Sequence, residues 1–287
     1  MDNLTNILTI KDLLQRHGFS FSKALGQNFL INPSVCPRMA DLCGAKKGVG
    51  VIEIGPGFGV LTHELCKLAD KVISIELDRR LMPVLSETMA EHNNFKVINE
   101  DVLKVDMHKL ISEEFEGMRV VVCANLPYYI TSPVIMKLLE DKLPIEAITV
   151  MVQKEAAQRL CAKVGTRDSS SITVAVNYYS EPNLLFHVSR GSFMPAPNVD
   201  SAVIRLDISA TPRVQSKSEK MFFRVVKAAF AQRRKTVVNS ISSTMGIQKA
   251  EVAQVLANNC ISETIRAEQL TLSDFAKIAD SLYERGN

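Results

Sequence analysis

The sequence predicts an α/β fold: a doubly wound, mostly parallel sheet of seven strands, with a small helical domain behind it. Three observations predict it. Short apolar runs alternate with amphipathic helical stretches through the first half of the chain, which is the pattern that builds successive βαβ units. The run Val51-Ile52-Glu53-Ile54 opens directly into Gly55-Pro56-Gly57-Phe58-Gly59, the strand-to-glycine-turn junction where open sheets of this class bind nucleotides. Past Ile208 the composition shifts, because Ser209–Ser218 is polar and carries Pro212, as linkers do.

The expected strands are Val51–Ile54, Lys71–Glu76, Phe95–Asn99, Val120–Ala124 and Ala147–Val152. The second and fourth are short apolar runs, as parallel strands covered on both faces should be. Leu61, Leu65 and Leu68 share one face of a helix after the glycine turn, and Arg79–Glu91 and Ser132–Glu140 have helical spacing. Ile172–Tyr179 and Ser201–Ile208 read as two further strands, forming an antiparallel edge on either side of Phe193-Met-Pro195-Ala-Pro197. Ahead of the sheet, Leu4, Ile7, Leu8 and Leu14 mark a short helix. Lys23–Leu30, with Gly26, reads either as a plain loop before a helix opening at Asn32-Pro33 or as a lid over a ligand. Residues 1–208 are expected to form the sheet domain and 209–287 the helical one, with Phe222, Val226, Ala229, Phe230 and Val237 as an apolar face and Ile247–Leu256 and Leu272–Leu282 as later helices.

Composition narrows the function. The 287 residues are 46% hydrophobic, ample for a core, and a net charge of +3 means that any nucleic-acid affinity must come from a local patch. Six cysteines are scattered without a C-x-x-C pair, the pattern of reduced thiols in a cytoplasmic protein rather than of a zinc site or disulfide framework. The five histidines are dispersed too, so no metal site is expected. No apolar run reaches the ~18 residues of a membrane span. Asp2, Lys11, Asp12 and Arg16 interrupt the apolar N-terminus, so it does not read as a secretory signal.

The strand ends carry the chemistry. Gly55, Gly57 and Gly59 are spaced G-x-G-x-G, with Val60 where a dinucleotide turn would have its third small residue. Preceded by Glu53, this spacing resembles the first motif of class I S-adenosylmethionine-dependent methyltransferases. Glu76 ends the second strand about 20 residues on, where an acid bonds a ribose diol; it is preferred to Asp78, and its plainer reading is a surface carboxylate opening the next helix. Asp101-Val102 follows the third strand, where the acid can accept from an exocyclic adenine amine and the valine can pack on the ring.

Asn125-Leu126-Pro127-Tyr128 follows the fourth strand and resembles the motif of methyltransferases acting on exocyclic amino nitrogens. An adenine N6 is a poor nucleophile because its lone pair is delocalised into the ring. The Asn125 side-chain oxygen and the Leu126 carbonyl can accept both N–H bonds and favour a tetrahedral nitrogen with a free lone pair. Pro127 stiffens the turn, and Tyr128 offers a stacking face worth ~1–3 kcal/mol. The plainer reading is an Asx turn followed by a core tyrosine. Phe193 heads the stiff Pro-rich loop and is either a second stacking face or a core residue. Arg224, Lys227 and Arg234 fall on one face if the helix continues, with Arg233 and Lys235 flanking; such a stripe suits phosphate contacts or is a solvated face.

Together with Gly26-Gln-Asn28-Phe-Leu30, Ala202-Val-Ile-Arg-Leu206 and Phe230-x-Gln-Arg-Arg-Lys-Thr236, these motifs resemble the bacterial small-subunit (16S) ribosomal RNA adenine dimethyltransferases from about residue 20 to residue 280. The resemblance implies S-adenosylmethionine as cofactor. It also implies N6,N6-dimethylation of two adjacent adenosines in a hairpin loop near the 3′ end of 16S rRNA, in the small subunit or its precursor. Carried over to this sequence, it implies cofactor contacts at Asn28, Leu30, Gly55, Gly57, Glu76, Asp101, Val102 and Asn125. It implies a target-adenine pocket of Asn125, Leu126, Pro127, Tyr128 and Phe193, and RNA contacts at Arg224, Lys227, Arg233, Arg234 and Lys235. The protein is expected to act as a cytoplasmic monomer. One departure stands out: Ser169 and Ser170 occupy the place where this family often has a Tyr-Gly pair. The rival readings are a 23S rRNA adenine dimethyltransferase, a non-catalytic RNA-binding assembly factor and a nicotinamide-dependent oxidoreductase. Intact Asn125–Tyr128 argues against the second, and Val60 against the third.

Overall fold

Strands buried on both faces set the architecture. In the computed structural model, which describes residues 4–18 and 28–285, the strands are β1 (Phe29–Leu30), β2 (Val49–Ile54), β3 (Lys71–Glu76), β4 (Phe95–Asn99), β5 (Arg119–Asn125), β6 (Ala147–Gln153), β7 (Ser180–Val188), β8 (Phe193–Met194) and β9 (Ser201–Ile208). All six residues of β2 are buried. It is the third strand of a seven-stranded sheet ordered β4-β3-β2-β5-β6-β9-β7. The pairs β2–β3, β2–β5, β3–β4 and β5–β6 are parallel, and β9 runs antiparallel to β6. Strand order reverses at β2, since β3 lies on one side and β5 on the other. Such a switch point opens a crevice at the carboxyl ends of the strands.

The helices are α1 (Ile7–Arg16), α2 (Val35–Leu42), α3 (Val60–Leu68), α4 (Met82–Thr88), α5 (Met107–Glu114), α6 (Thr131–Glu140), α7 (Lys154–Leu160), α8 (Ser171–Tyr179), α9 (Glu219–Phe230), α10 (Val237–Met245), α11 (Lys249–Asn258) and α12 (Leu272–Arg285). None of the described helices is long and apolar enough to cross a membrane.

The stretch expected as a strand at Ile172–Tyr179 is the helix α8. Its β-branched residues suit a strand, but the chain before it is a helix start. The Ser170 hydroxyl accepts from the Thr173 N–H at 3.4 Å, and the Thr173 hydroxyl accepts from the Ser170 N–H at 3.0 Å. This reciprocal cap satisfies two otherwise orphaned donors. Six of the nine helix residues are buried, and a helix covered on most sides shows no helical period in its sequence. The Ser169-Ser170 departure is thus where the helix is capped. The seventh strand is β7, beside β9 at the end of the sheet; it carries Pro182, which an edge strand tolerates.

By its contacts the chain divides into two compact units. The first comprises the described residues up to Ala157 together with Asn183–Ile208, and the second comprises Gln158–Pro182 with the described residues from Ser209 on. A single cut at 208/209 therefore does not describe the segment that carries α8. Within the second unit, Tyr178 of α8 packs on Phe222 of α9 with ring centroids 4.7 Å apart, and the Tyr179 hydroxyl donates to Glu219 at 2.8 Å. In α9, Phe222, Val225, Val226, Ala228 and Ala229 form the buried face.

The basic stripe requires a correction. α9 ends at Phe230, and Arg233, Arg234 and Lys235 lie in the turn before α10. The Thr236 side chain caps α10 by accepting from the Asn239 N–H, and this cap stops the helix from running through the basic run. Arg224 and Lys227 remain exposed on α9, and all three turn residues are exposed.

Candidate active site

The glycine turn has backbone that other residues adopt only at a cost. Gly55, Gly57 and Gly59 have φ of +71°, +60° and +89°, in the left-handed region that favours glycine. At Gly57 space is limiting as well, since a Cβ there would sit 3.0 Å from the Phe29 ring. Phe29 in turn stacks on Phe58, with centroids 4.0 Å apart and planes within 8°. The segment from Asn28 to Leu30 is therefore closed down on the turn. Gly26 and Gln27 of the expected lid lie outside the described residues.

Beneath the turn, Glu53 is 1% exposed. One of its carboxylate oxygens accepts from the Ser74 hydroxyl of β3 at 2.6 Å and from the Thr62 hydroxyl of α3 at 2.7 Å. Its other oxygen has no partner among the described residues. Burial pushes its pKa up to about 7, against the two hydroxyl donors, which pull it down.

Glu76, at the end of β3, faces the turn. One oxygen accepts from the Asp78 N–H at 2.8 Å and the other from the Gly57 N–H at 3.4 Å. Burial raises its pKa to about 6, against the backbone donors. Asp78 is engaged elsewhere: its carboxylate caps the turn at the Arg80 N–H and pairs with the Arg80 guanidinium at 2.7 Å. Glu76, not Asp78, is thus the carboxylate that points at the glycine turn. Past β4, Asp101 accepts from the Leu103 N–H at 3.0 Å, an Asx turn that presents the loop, and Val102 beside it is buried.

Asn125, the last residue of β5, is half-buried, and Leu126 just past it is buried. Among the described residues the Asn125 side chain makes no hydrogen bond. The Tyr128 hydroxyl lies 2.7 Å from the Ser201 hydroxyl of β9, so the ring is tethered at its far end. Burial raises the Tyr128 pKa, which keeps it a neutral phenol.

Phe193 reaches the same place by a pairing that the sequence did not announce. β8 runs antiparallel to β1, with Leu30 opposite Phe193 and Phe29 opposite Met194. The Ile31 N–H donates to the Ser192 carbonyl at 2.8 Å. This two-stranded ribbon joins the segment that covers the glycine turn to the Pro-rich loop.

One open cleft of about 1090 Å³ spans these strand ends. Asn28, Leu30, Gly55, Gly57, Glu76, Asp101, Val102, Asn125, Leu126, Pro127, Tyr128 and Phe193 all line it. Sequence reasoning missed Phe29, Phe58, Glu100 and Tyr129, which line it too. Tyr129 is 57% exposed, and an exposed aromatic beside the Asn125 motif was the available signal. Arg224, Lys227, Arg233, Arg234 and Lys235 belong to the second unit, and the cleft is lined by the first unit alone.

The arrangement suits a flat, hydrogen-bonding, partly cationic ligand. Glu76, Glu100 and Asp101 supply carboxylates, and the glycines leave backbone room. The uncommitted Asn125 amide lies beside two aromatic rings.

Comparisons with known proteins agree. The family model described as ribosomal RNA adenine dimethylase matches residues 18–283. The chain is 44% identical to the ribosomal RNA small subunit methyltransferase A of Alkaliphilus oremlandii, over 99% of this chain and 100% of that one. It is 46% identical to the protein of the same name from a Geobacillus species, over 95% of each. Among solved structures it resembles a dimethyladenosine transferase from Plasmodium falciparum, with 25% identity, a TM-score of 0.73, and 90% of this chain and 98% of that one covered. It also resembles the 23S rRNA methyltransferase ErmE, with 26% identity, a TM-score of 0.68, and 89% and 100% covered. With a family model spanning nearly all of it, and with the strand-end motifs gathered in one cleft, the chain belongs to the ribosomal RNA adenine dimethylase family.

Proposed function

We propose that this protein binds S-adenosylmethionine in the cleft and dimethylates N6 of two adjacent adenosines in a hairpin loop near the 3′ end of 16S rRNA. The substrate is the small ribosomal subunit or its precursor, and the protein works as a cytoplasmic monomer. The observation that carries this reading is the convergence of the glycine turn, Glu76, Asp101 and Asn125–Tyr128 on a single cleft. Relatives at 44–46% identity named for the small subunit favour 16S over 23S rRNA, since ErmE is only 26% identical.

The residues present fit the cofactor. A Cβ at Gly55 would meet nothing nearer than the Asn125 carbonyl oxygen at 3.9 Å, so the turn leaves a close backbone approach open there. Glu76 accepts from the ribose diol, Asp101 accepts from the adenine amine, and Val102 packs on that ring. Asn28, Leu30 and Gly55 hold the rest, with Asn125 at the methionine end. When bound, the cofactor supplies an electrophilic methyl group on a sulfonium.

The target adenine is recognised outside its stack. Tyr128 gives it one face, fixed in place by Ser201, and Phe193 gives it the other. The Asn125 side-chain oxygen and the Leu126 carbonyl accept the two N6 protons, which draws the nitrogen toward tetrahedral geometry and frees its lone pair. No general base of raised pKa is needed, because the alkylated amine loses its proton readily. The remaining rate comes from alignment of nitrogen and methyl. Arg224, Lys227, Arg233, Arg234 and Lys235 contact RNA phosphates.

The test is transfer of labelled methyl to under-methylated small subunits, with large-subunit RNA in parallel, followed by digestion to nucleosides. Label in N6,N6-dimethyladenosine from the small subunit alone is expected. Label from the large-subunit RNA would move the substrate to 23S rRNA, and cofactor binding without label would overturn the catalytic reading.

A further inference from the structure

His63 and the adjacent pair Glu91 and His92 are far apart in sequence and meet outside the cleft. His63 stands in the first turn of α3, where its N–H donates to the Gly59 carbonyl at 2.8 Å. Glu91 and His92 lie just past α4. His92 Nε2 faces His63 Nδ1 at 2.7 Å, and the two rings meet edge to face with centroids 4.7 Å apart. Glu91 Oε1 lies 3.6 Å from His63 Nδ1 and 3.9 Å from His92 Nε2.

These three atoms form a compact triangle of two imidazole nitrogens and one carboxylate oxygen. A tetrahedral zinc ion with bonds near 2.0–2.1 Å holds its ligand atoms about 3.3 Å apart. The observed edges of 2.7, 3.6 and 3.9 Å bracket that separation. Closing the geometry needs only shifts of well under an ångström. The histidine side chains are 21% and 13% exposed, while that of Glu91 is 48% exposed. Two ligands are thus held by packing, and the third, near the surface, leaves a fourth position to water. Lys67 nearby is paired with Glu64 at 2.8 Å, and a metal competes with the hydrogen bond that the Glu91 carboxylate already makes.

We propose that His63 Nδ1, His92 Nε2 and the Glu91 carboxylate form a binding site for a divalent transition metal of the zinc type. The metal replaces the proton that the two imidazoles share. It ties α3, the helix that leaves the glycine turn, to the segment that follows α4. The two elements already touch there, since a Cβ at Gly59 would lie 2.8 Å from the Met89 sulfur. The site is a staple on the cofactor-binding unit and takes no part in methyl transfer.

The test is titration of untagged protein with Zn²⁺ by calorimetry and with Co²⁺ by visible absorption. It uses a Cys260→Ser background, because exposed Cys260 is a competing soft ligand. One equivalent of metal should bind, with the intense bands of four-coordinate cobalt. Zinc should raise the melting temperature by several degrees. His63→Gln and His92→Gln should each weaken binding by at least about 100-fold, and Glu91→Gln by about tenfold. Should a histidine variant fail to fold, half-exposed Glu91 carries the test. No saturable binding at about 0.1 mM metal, six-coordinate cobalt, or affinity unchanged in Glu91→Gln would overturn the proposal.

Discussion

Two buried carboxylates on neighbouring strands do different work, and two residues along the sheet separate them. Glu53 of β2 lies level with Ser74 of β3 in the parallel register, and Glu76 follows two residues later on the same face. Glu53 is inside the strand, so it meets hydroxyls from β3 and α3 and forms a floor beneath the glycine turn, outside the cleft lining. Glu76 is at the strand end, so it meets the Gly57 N–H and the cleft itself. Both pay desolvation, which raises both pKa values. The floor acid is enclosed by the fold, whereas the mouth acid faces a ligand site, so titrating each should affect a different property.

The largest expected effect is on the floor. Glu53 has a folded pKa of about 7 against the ordinary 4.5. The folded state therefore binds more protons between those values, and its stability falls as pH rises from 4.5 to 7 and levels off above. The contribution is roughly 3 kcal/mol. Glu53→Gln should flatten most of this dependence in denaturant melts; a slope unchanged from the parent would assign the floor role elsewhere.

At the mouth, Glu76→Ala should weaken S-adenosylmethionine binding by about 10- to 100-fold, the worth of charged hydrogen bonds at ~1.5–3 kcal/mol. In the parent, affinity should drop as pH falls through about 6, where Glu76 becomes protonated. Loss of stability without loss of affinity in Glu76→Ala would erase the distinction between the two acids.

A third probe asks whether RNA affinity is separable from the cleft altogether. Replacing Arg233, Arg234 and Lys235 with Ala together should cut RNA affinity by about tenfold near 0.1 M salt and lower the salt slope by about 2. S-adenosylmethionine affinity should not change. An unchanged salt slope would make the turn a solvated surface.

The smallest expected effect is at Ser201. Ser201→Ala removes the tether on Tyr128 at a cost of roughly 1 kcal/mol. It should raise KM for RNA severalfold with little change in cofactor affinity, and Ser201→Thr should restore much of the loss. A change in cofactor affinity instead would mean that Ser201 supports the sheet rather than the ring.

What was legible in the sequence was local. The glycine turn, the acid at the end of β3 and the Asn125–Tyr128 turn each sit within a few residues of a strand end, so apolar runs and spacing located them. What was not legible depended on distance or on enclosure. The β1–β8 ribbon is two residues per strand, paired across most of the first unit, and so short a strand leaves no period to read. Helix α8 read as a strand because burial on most sides removes the helical signature, and the Ser170–Thr173 cap was the overlooked clue. The basic run read as helix because its charge pattern fits one, while the Thr236 cap ended that option. Glu53 was legible as part of a motif, and its inward partners Thr62 and Ser74 became visible only in the packing.

The central claim is that Asn125, although it stands at the methionine end of the cofactor, contributes chiefly by activating the target amine. The direct measurement is single-turnover methyl transfer by Asn125→Ala at saturating S-adenosylmethionine and small subunits, alongside cofactor affinity by calorimetry. The account predicts a rate lower by about 100-fold or more with cofactor affinity within a few fold of the parent. Equal losses in rate and affinity would contradict it.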